Sequence, residues 1–158
     1  MEPRIDLRKA AAASPGAEQA VYALEQYIRQ SGLELKLLEL VRMRASQING
    51  CAYCLDMHSK DARAEGETEQ RLYALNAWRE TPFYTERERA ALEWTEALTL
   101  ISQNHVEDDL YERVRQHFNE GELINLTLAI NSINNWNRLA ISFRAVPGTY
   151  QRTAQATH

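Results

Sequence analysis

Residues 39–58, ELVRMRASQINGCAYCLDMH, contain both cysteines of a 158-residue chain and decide how the rest of the sequence is interpreted. Cys51 and Cys54 are three residues apart, and His58 follows four residues later. If the segment after the Asn-Gly pair is helical, these three side chains lie at i, i+3 and i+7, on one stripe of a helix. The Asn-Gly pair itself indicates a turn, so we expect Glu39 on a preceding helix that folds back beside the cysteines.

Apolar residues recur with helical spacing along most of the chain. Together with capping and stop residues, this spacing predicts helices over residues 17–28, 35–48, 52–65, 68–78, 85–100, 108–118 and 122–143. No alternating apolar and polar run indicates a strand, which disfavours a thioredoxin-type fold around the C-x-x-C motif. The sequence therefore predicts an all-α fold, a single compact domain of about seven helices over residues 1–148. The C-x-x-C motif starts a central helix, and residues 149–158 form a tail.

Charge and hydropathy exclude several classes of function. The formal net charge of -4 is mixed in sign along the chain, without the basic stripe that follows phosphates, so nucleic-acid binding is not expected. No apolar run reaches the roughly 18 to 20 residues of a membrane span. The opening MEPRIDLRKAAAASPG lacks the apolar core of a secretion signal, and we expect a cytoplasmic protein. In a reducing compartment, two cysteines are more often catalytic or metal-binding than structural.

The cysteine pair admits several interpretations. A helix N-terminus favours thiolate formation at Cys51, whereas proximity to His58 favours it at Cys54, and the sequence does not rank the two effects. A purely stabilising disulfide would close a very short loop and contribute little. A zinc site built from both cysteines, His58 and Glu39 has acceptable ligand types but lacks a second C-x-x-C or C-x-x-H pair. Two unrelated buried thiols are the remaining alternative.

The string LLELVRMRASQINGCAYCLDMHSKDAR resembles the alkyl hydroperoxidase D-like (AhpD-like) members of the carboxymuconolactone decarboxylase superfamily. Their signature is a glutamate, then C-x-x-C, then a histidine after three more residues. Glu39, Cys51, Cys54 and His58 match it with the family's spacing. The flanking PRIDLRKAAAASPGAEQAVYALEQYI and SINNWNRLAISFR also resemble the family, so the similarity covers most of the chain.

The resemblance implies an AhpD-like fold and a thiol-dependent peroxidase. In this family Cys54 would be the peroxidatic thiol, Cys51 the resolving thiol, and His58 with Glu39 a proton relay. It further implies a hydroperoxide substrate, no bound cofactor, and an external dithiol such as a dihydrolipoyl group on a partner protein. Tyr53 stands where the founding type has a second histidine, and tyrosine, with a pKa of about 10, is a poorer proton carrier.

Alternatives to the peroxidase stay open. The chain could instead be a redox sensor, a thiol-disulfide oxidoreductase or a zinc-stapled helical module. The decarboxylase branch of the superfamily lacks the cysteine pair, so decarboxylation is not expected.

Four asparagines surround Trp136 near the end of the chain: Asn131, Asn134, Asn135 and Asn137. Buried amides require hydrogen-bond partners, so such a cluster indicates helix packing or a subunit contact rather than catalysis. The apolar residues of this helix on more than one side favour a homo-oligomer. The family commonly forms trimers or hexamers.

Several other residues could be mistaken for site residues. Glu96 and Trp94 could line a pocket, although acidic residues at helical spacing are usually a solvated face. The remaining candidates are histidines expected at the surface and aromatic residues expected as core or loop anchors: His105, His117, His158, Trp78, Phe83 and Tyr84.

Overall fold

The computed structural model describes residues 2–6 and 9–152, and in that part of the chain the regular elements are helices without a strand. The helices are α1 (Ala10–Ala13), α2 (Ala17–Arg29), α3 (Leu35–Asn49), α4 (Ala52–Ala64), α5 (Glu69–Ala74), a 3-10 helix (Leu75–Glu80), α6 (Glu86–Thr99), α7 (Ile101–Asn104), α8 (Asp108–Val114) and α9 (Glu120–Phe143). The predicted all-α fold in one compact domain is confirmed. The four-residue helices α1 and α7 were not predicted.

Capping residues determine where the helices begin. The Thr85 hydroxyl accepts from the backbone N–H of Glu88 at 3.2 Å, and the Glu88 carboxylate accepts from the backbone N–H of Thr85 at 2.8 Å. This is the capping box predicted for α6. Asn119 and Glu122 form a second capping box at α9, which therefore begins at Glu120, two residues earlier than predicted.

Helix α3 is the central element of the fold. It packs against α4, α6 and α9, and most of its residues are buried. Its apolar side chains face two core clusters, one formed with α2, α6, α8 and α9 and the other with α4 to α6. Trp78 and Tyr84 are buried in the second cluster, as predicted. No helix of the described chain is both long and apolar enough to cross a membrane.

An amide network joins α9 to the end of α3. The side-chain N–H groups of Asn49 donate to Asn134 at 2.9 Å and to Asn137 at 2.8 Å. Asn137, which is fully buried, donates to the hydroxyl of Ser46 at 3.0 Å. Because the backbone carbonyl of Ser46 accepts from the N–H of Cys51 at 3.0 Å, this network holds the turn that leads into the cysteine pair.

The network predicts unequal effects for two asparagines of α9. Asn137→Ala removes the buried amide that binds Ser46 and one of the two amides that bind Asn49, and should lower the free energy of unfolding by about 1 to 3 kcal/mol. Asn135 is exposed on the same helix, so Asn135→Ala should change it by less than about 0.5 kcal/mol. Urea unfolding of both variants measures the difference. Equal destabilisation would contradict the role assigned to the network.

Candidate active site

The two cysteines form a disulfide at the start of α4, with their Cα atoms 5.4 Å apart. Cys51 is the N-cap residue, and its sulfur accepts from the backbone N–H of Cys54 at 3.3 Å. Both side chains are almost completely buried, at 1% and 2% exposure. They pack with Ile133 and Ala140 of α9, and Tyr53 lies partly buried against the same cluster. The helix start therefore brings both sulfurs together without a change of backbone.

Glu39 and His58 meet between α3 and α4. The Nδ1 atom of His58 lies 2.9 Å from Oε2 of Glu39, and both side chains are buried. His58 lies one turn beyond Cys54 on the same face of α4. The expectation that Glu39 folds back beside the C-x-x-C helix therefore agrees with the geometry. The catalytic roles of these residues stay predictions.

Arg42 is the residue that the sequence analysis missed. Its guanidinium donates from Nη1 to Oε1 of Glu39 at 2.6 Å and from Nη2 to Oε2 of Glu25 at 2.8 Å. Glu25 in turn accepts from the hydroxyl of Ser132 on α9. Arg42 is only 2% exposed, so its charge is buried and fully paired. The available signal was an arginine one turn after Glu39 in a mostly apolar helix.

These contacts decide the charge of Glu39. Burial favours the neutral acid, but the hydrogen bond and charge of His58, followed by the charge and hydrogen bond of Arg42, outweigh it and hold the pKa of Glu39 below its usual range. Glu39 is therefore a carboxylate and accepts from the Nδ1–H group of His58. In a neutral imidazole this tautomer leaves Nε2 as the nitrogen that can accept a proton.

A cavity of about 360 Å³ opens beside this network, between α2, α3 and α4. Glu39 and Arg42 form part of its wall. Tyr150 and Arg152, which fall in the predicted tail, close another side and bind α4: the Tyr150 hydroxyl donates to Asp61 at 2.9 Å. Burial first, and then the hydrogen bond to Asp61, raise the pKa of Tyr150 to about 12. The segment after α9 thus takes part in the site.

Metal-ligand geometry differs from the zinc set that was considered as an alternative. Among the described residues, the donor atoms close enough to share an ion belong to Glu39, His58 and Asp61, within 4.8 Å of one another. The sulfurs of Cys51 and Cys54 are bonded to each other, so neither offers a thiolate in this state. The arrangement does not bring together the four-residue ligand set considered from the sequence.

Glu96 and Trp94, the two further pocket candidates, do not line this cavity. Glu96 accepts from the indole N–H of Trp78 at 2.8 Å and from Arg44 at 2.8 Å. Trp94 donates to Thr127 at 3.0 Å. Glu96 is thus an internal ion-pair partner rather than the solvated residue expected from helical spacing, because the 3-10 helix covers it.

His105 and His117 do not line the cavity. His105 is exposed, as expected, and His117 is partly buried. His158 lies outside the described residues.

Fold and site together define the class of protein: an all-α domain with a C-x-x-C disulfide at a helix start, beside a buried carboxylate and imidazole. Residues 15–97 match the carboxymuconolactone decarboxylase family. YdfG, an uncharacterized protein of Bacillus subtilis (strain 168), is 48% identical over 129 residues, which are 82% of this chain and 88% of YdfG.

Solved structures are similar over most of the chain. ATU0492 from Agrobacterium tumefaciens, a protein of unknown function ascribed to antioxidant defence as AhpD, has a TM-score of 0.88 and 46% identity, over 94% of this chain and 100% of that one. An uncharacterized peroxidase-related protein from Silicibacter sp. TM1040 has a TM-score of 0.77 and 25% identity, over 89% of this chain and 75% of that one. The chain belongs to the carboxymuconolactone decarboxylase family and is an AhpD-like member of its superfamily.

The buried position of Arg42 predicts a large effect on stability. Arg42→Met keeps most of the side-chain volume but leaves Glu39 and Glu25 without their cation, and should lower the free energy of unfolding by about 3 to 5 kcal/mol at pH 7. Arg113→Met removes an exposed arginine that pairs with Glu93 and should change the free energy of unfolding far less, because water screens this pair. Urea unfolding measures both values.

The same variant has a defined pH dependence. Because the folded pKa of Glu39 is lowered, its ionisation stabilises the wild type above the unfolded pKa, about 4.3, and this contribution is lost as the pH falls through the folded value. Arg42→Met should lose part of that contribution. The difference in the free energy of unfolding between this variant and the wild type should therefore shrink below about pH 4. A difference that stays constant from pH 7 to pH 3 would contradict the assigned contact.

Proposed function

We propose that the protein is a thiol peroxidase that reduces organic hydroperoxides with Cys54 and Cys51. The observation that supports this most is a buried disulfide on the same helix face as His58, whose imidazole is hydrogen-bonded to an ionised Glu39. A peroxidase requires a thiolate, a group that takes up and returns its proton, and a second thiol. The four residues supply these three functions.

The first step oxidises Cys54. His58 accepts the thiol proton at Nε2 while Glu39 stabilises the resulting imidazolium through Nδ1. The thiolate attacks the terminal oxygen of the hydroperoxide, the O–O bond breaks, and the departing alkoxide takes the proton back from His58. The products are an alcohol and the sulfenic acid of Cys54.

The second step closes the disulfide. Cys51 attacks the sulfenic sulfur of Cys54, an S–S bond forms, and water leaves. The 5.4 Å separation of the two Cα atoms suits this bond without movement of the backbone. An external dithiol then restores both thiols by exchange. In sum, one hydroperoxide and one dithiol give one alcohol, one water and one disulfide.

The reductant in this proposal is a slender dithiol such as a dihydrolipoyl group. Cysteine residues that are only 1% and 2% exposed favour a narrow arm over a flat protein surface. A cytoplasmic location and a homo-oligomer, a trimer or hexamer, belong to the same proposal. Metal analysis of the reduced protein addresses the zinc-stapled alternative, which would require stoichiometric zinc that resists mild chelation.

Trapping the oxidised thiol tests the assignment of the two cysteines. Reduced Cys51→Ser, treated with tert-butyl hydroperoxide and dimedone, should carry one adduct on Cys54, because no resolving thiol is present. Cys54→Ser should carry none and should not turn over. Intact-mass spectrometry and peptide mapping measure both. The reverse pattern would exchange the two roles, and unreacted thiols in the wild type would remove the peroxidase.

Proton transfer is tested separately at His58 and Glu39. His58→Gln should lower kcat/KM for tert-butyl hydroperoxide by about 10² to 10⁴-fold, since it removes the acid and base. Glu39→Gln should lower it by a smaller factor and shift the pH profile, because the imidazolium loses its carboxylate partner. Glu69→Gln, at an exposed carboxylate, is the matched control and should leave the rate unchanged. A sensor that is oxidised once but is not recycled by any dithiol would fail this assay in the wild type.

A further inference from the structure

The cavity beside Glu39 is not used by the chemistry described above. We propose that it binds the carboxylate of an elongated organic hydroperoxide and that Arg29 is the counter-ion. This inference rests on the proposed function, because it names a substrate class for the same site. A volume of about 360 Å³ is at the low end of the roughly 300 to 1,000 Å³ found for ligand sites, which suits a small molecule rather than a peptide.

Among the described residues that line the cavity, Arg29 is the cation without an ion-pair partner. Arg42 is held by two glutamates, and Arg152 by Glu65 at 2.5 Å. Arg29 makes no ion pair or hydrogen bond with any residue that the structure describes. A ligand in this cavity therefore meets a positive charge without a protein partner.

The acidic groups of the same wall are already occupied. Glu39 is bound by Arg42 and His58, and Asp61 accepts from the hydroxyl of Tyr150 at 2.9 Å. The side chain of Arg29 also lines the cavity. Its positive charge acts to lower the pKa of the Tyr150 hydroxyl, against burial and Asp61, which raise that pKa. An anion gains the attraction of Arg29 there. Arg42 and Arg152 neutralise Glu39 and Glu65, whereas the Asp61 carboxylate is bound by the Tyr150 hydroxyl and has no ion-pair partner among the described residues.

Apolar surface in the wall accounts for the rest of the ligand. Tyr22 and Leu35, which are 51% and 42% exposed, both line the cavity. The ring of Tyr22 lies 5.5 Å from the ring of Trp136, and Trp136 packs against the cysteine cluster. Tyr22 thus connects the cavity with the neighbourhood of Cys54, and an alkyl chain could lie along this apolar surface.

Helix α4 sets the length of the ligand. Cys54, His58, Asp61 and Glu65 lie on one stripe of its sequence, and the last two line the cavity. With a rise of about 1.5 Å per residue, Asp61 is about 10 Å along the helix from Cys54. A hydroperoxide whose carboxylate lies in the cavity and whose O–O bond reaches Cys54 therefore needs a chain of similar length, as in 8-hydroperoxyoctanoate.

Binding can be measured without peroxide chemistry. Octanoate and its neutral isostere octanamide are titrated into the oxidised, disulfide-bonded protein and followed by NMR chemical shifts. Octanoate should bind about threefold to fivefold tighter, the effect of one exposed ion pair, and its shifts should map to the cavity. Arg29→Gln should abolish this preference and Arg29→Lys should retain most of it. Arg113→Gln, the matched control outside the cavity, should change nothing.

Kinetics link the cavity to turnover. The kcat/KM for 8-hydroperoxyoctanoate should exceed that for its amide by a similar factor, and Arg29→Gln should reduce the ratio to about one. Turnover of tert-butyl hydroperoxide, which is too short to reach the cavity, should not change in this variant.

The outcomes separate this inference from the proposed function. Equal binding of octanoate and octanamide, absence of binding by either, or an unaltered preference in Arg29→Gln would overturn the carboxylate site even if tert-butyl hydroperoxide is reduced. Failure of every hydroperoxide to oxidise the cysteines would remove the peroxidase. In that case, octanoate binding that depends on Arg29 would still establish an anion site, but its assignment to a hydroperoxide would be overturned.

Discussion

The geometry of the site depends on the two hydrogen bonds of the Glu39 carboxylate, in which one oxygen binds Arg42 and the other binds His58. Removing a carboxylate from water is strongly unfavourable unless opposite charge and hydrogen bonds replace the solvent. The arginine is buried on the same helix and is paired a second time by Glu25, so neither charge is left alone. The carboxylate is therefore held ionised and oriented before any substrate binds.

A second polar network supports the cysteines from the opposite side. Asn49, Asn134 and Asn137 fasten α9 to the end of α3, at the turn that precedes Cys51. Charged groups thus hold the Glu39 carboxylate on α3, and neutral amides hold the C-terminal end of α3. Since α4 starts directly after this turn, the position of the disulfide relative to Glu39 depends on how α3 is anchored. This rigidity suits chemistry in which a proton moves between fixed atoms.

The neighbourhood of the disulfide differs in polarity from one side to the other. Apolar contacts from α9 keep water away from the sulfurs. On the other side, the cavity beside Glu39 combines paired charges with exposed apolar surface. Helix α4 spans both environments.

The sequence by itself determined most of the longer helices, the capping box of α6 and the C-x-x-C motif at a helix start, because apolar spacing and capping residues act within a few positions of each other, as Thr85 and Glu88 do. It also indicated that Glu39 would fold back beside the cysteines, and the family resemblance implied its pairing with His58, nineteen positions along the chain. Only the tertiary structure decided the partners of Arg42 and the cavity closed by Tyr150. The hydroxyl that binds Glu25 comes from Ser132, 107 residues away, and Asp61 and Tyr150 are 89 residues apart. Such contacts depend on how whole helices pack against each other, and a local pattern of residue types does not predict this packing.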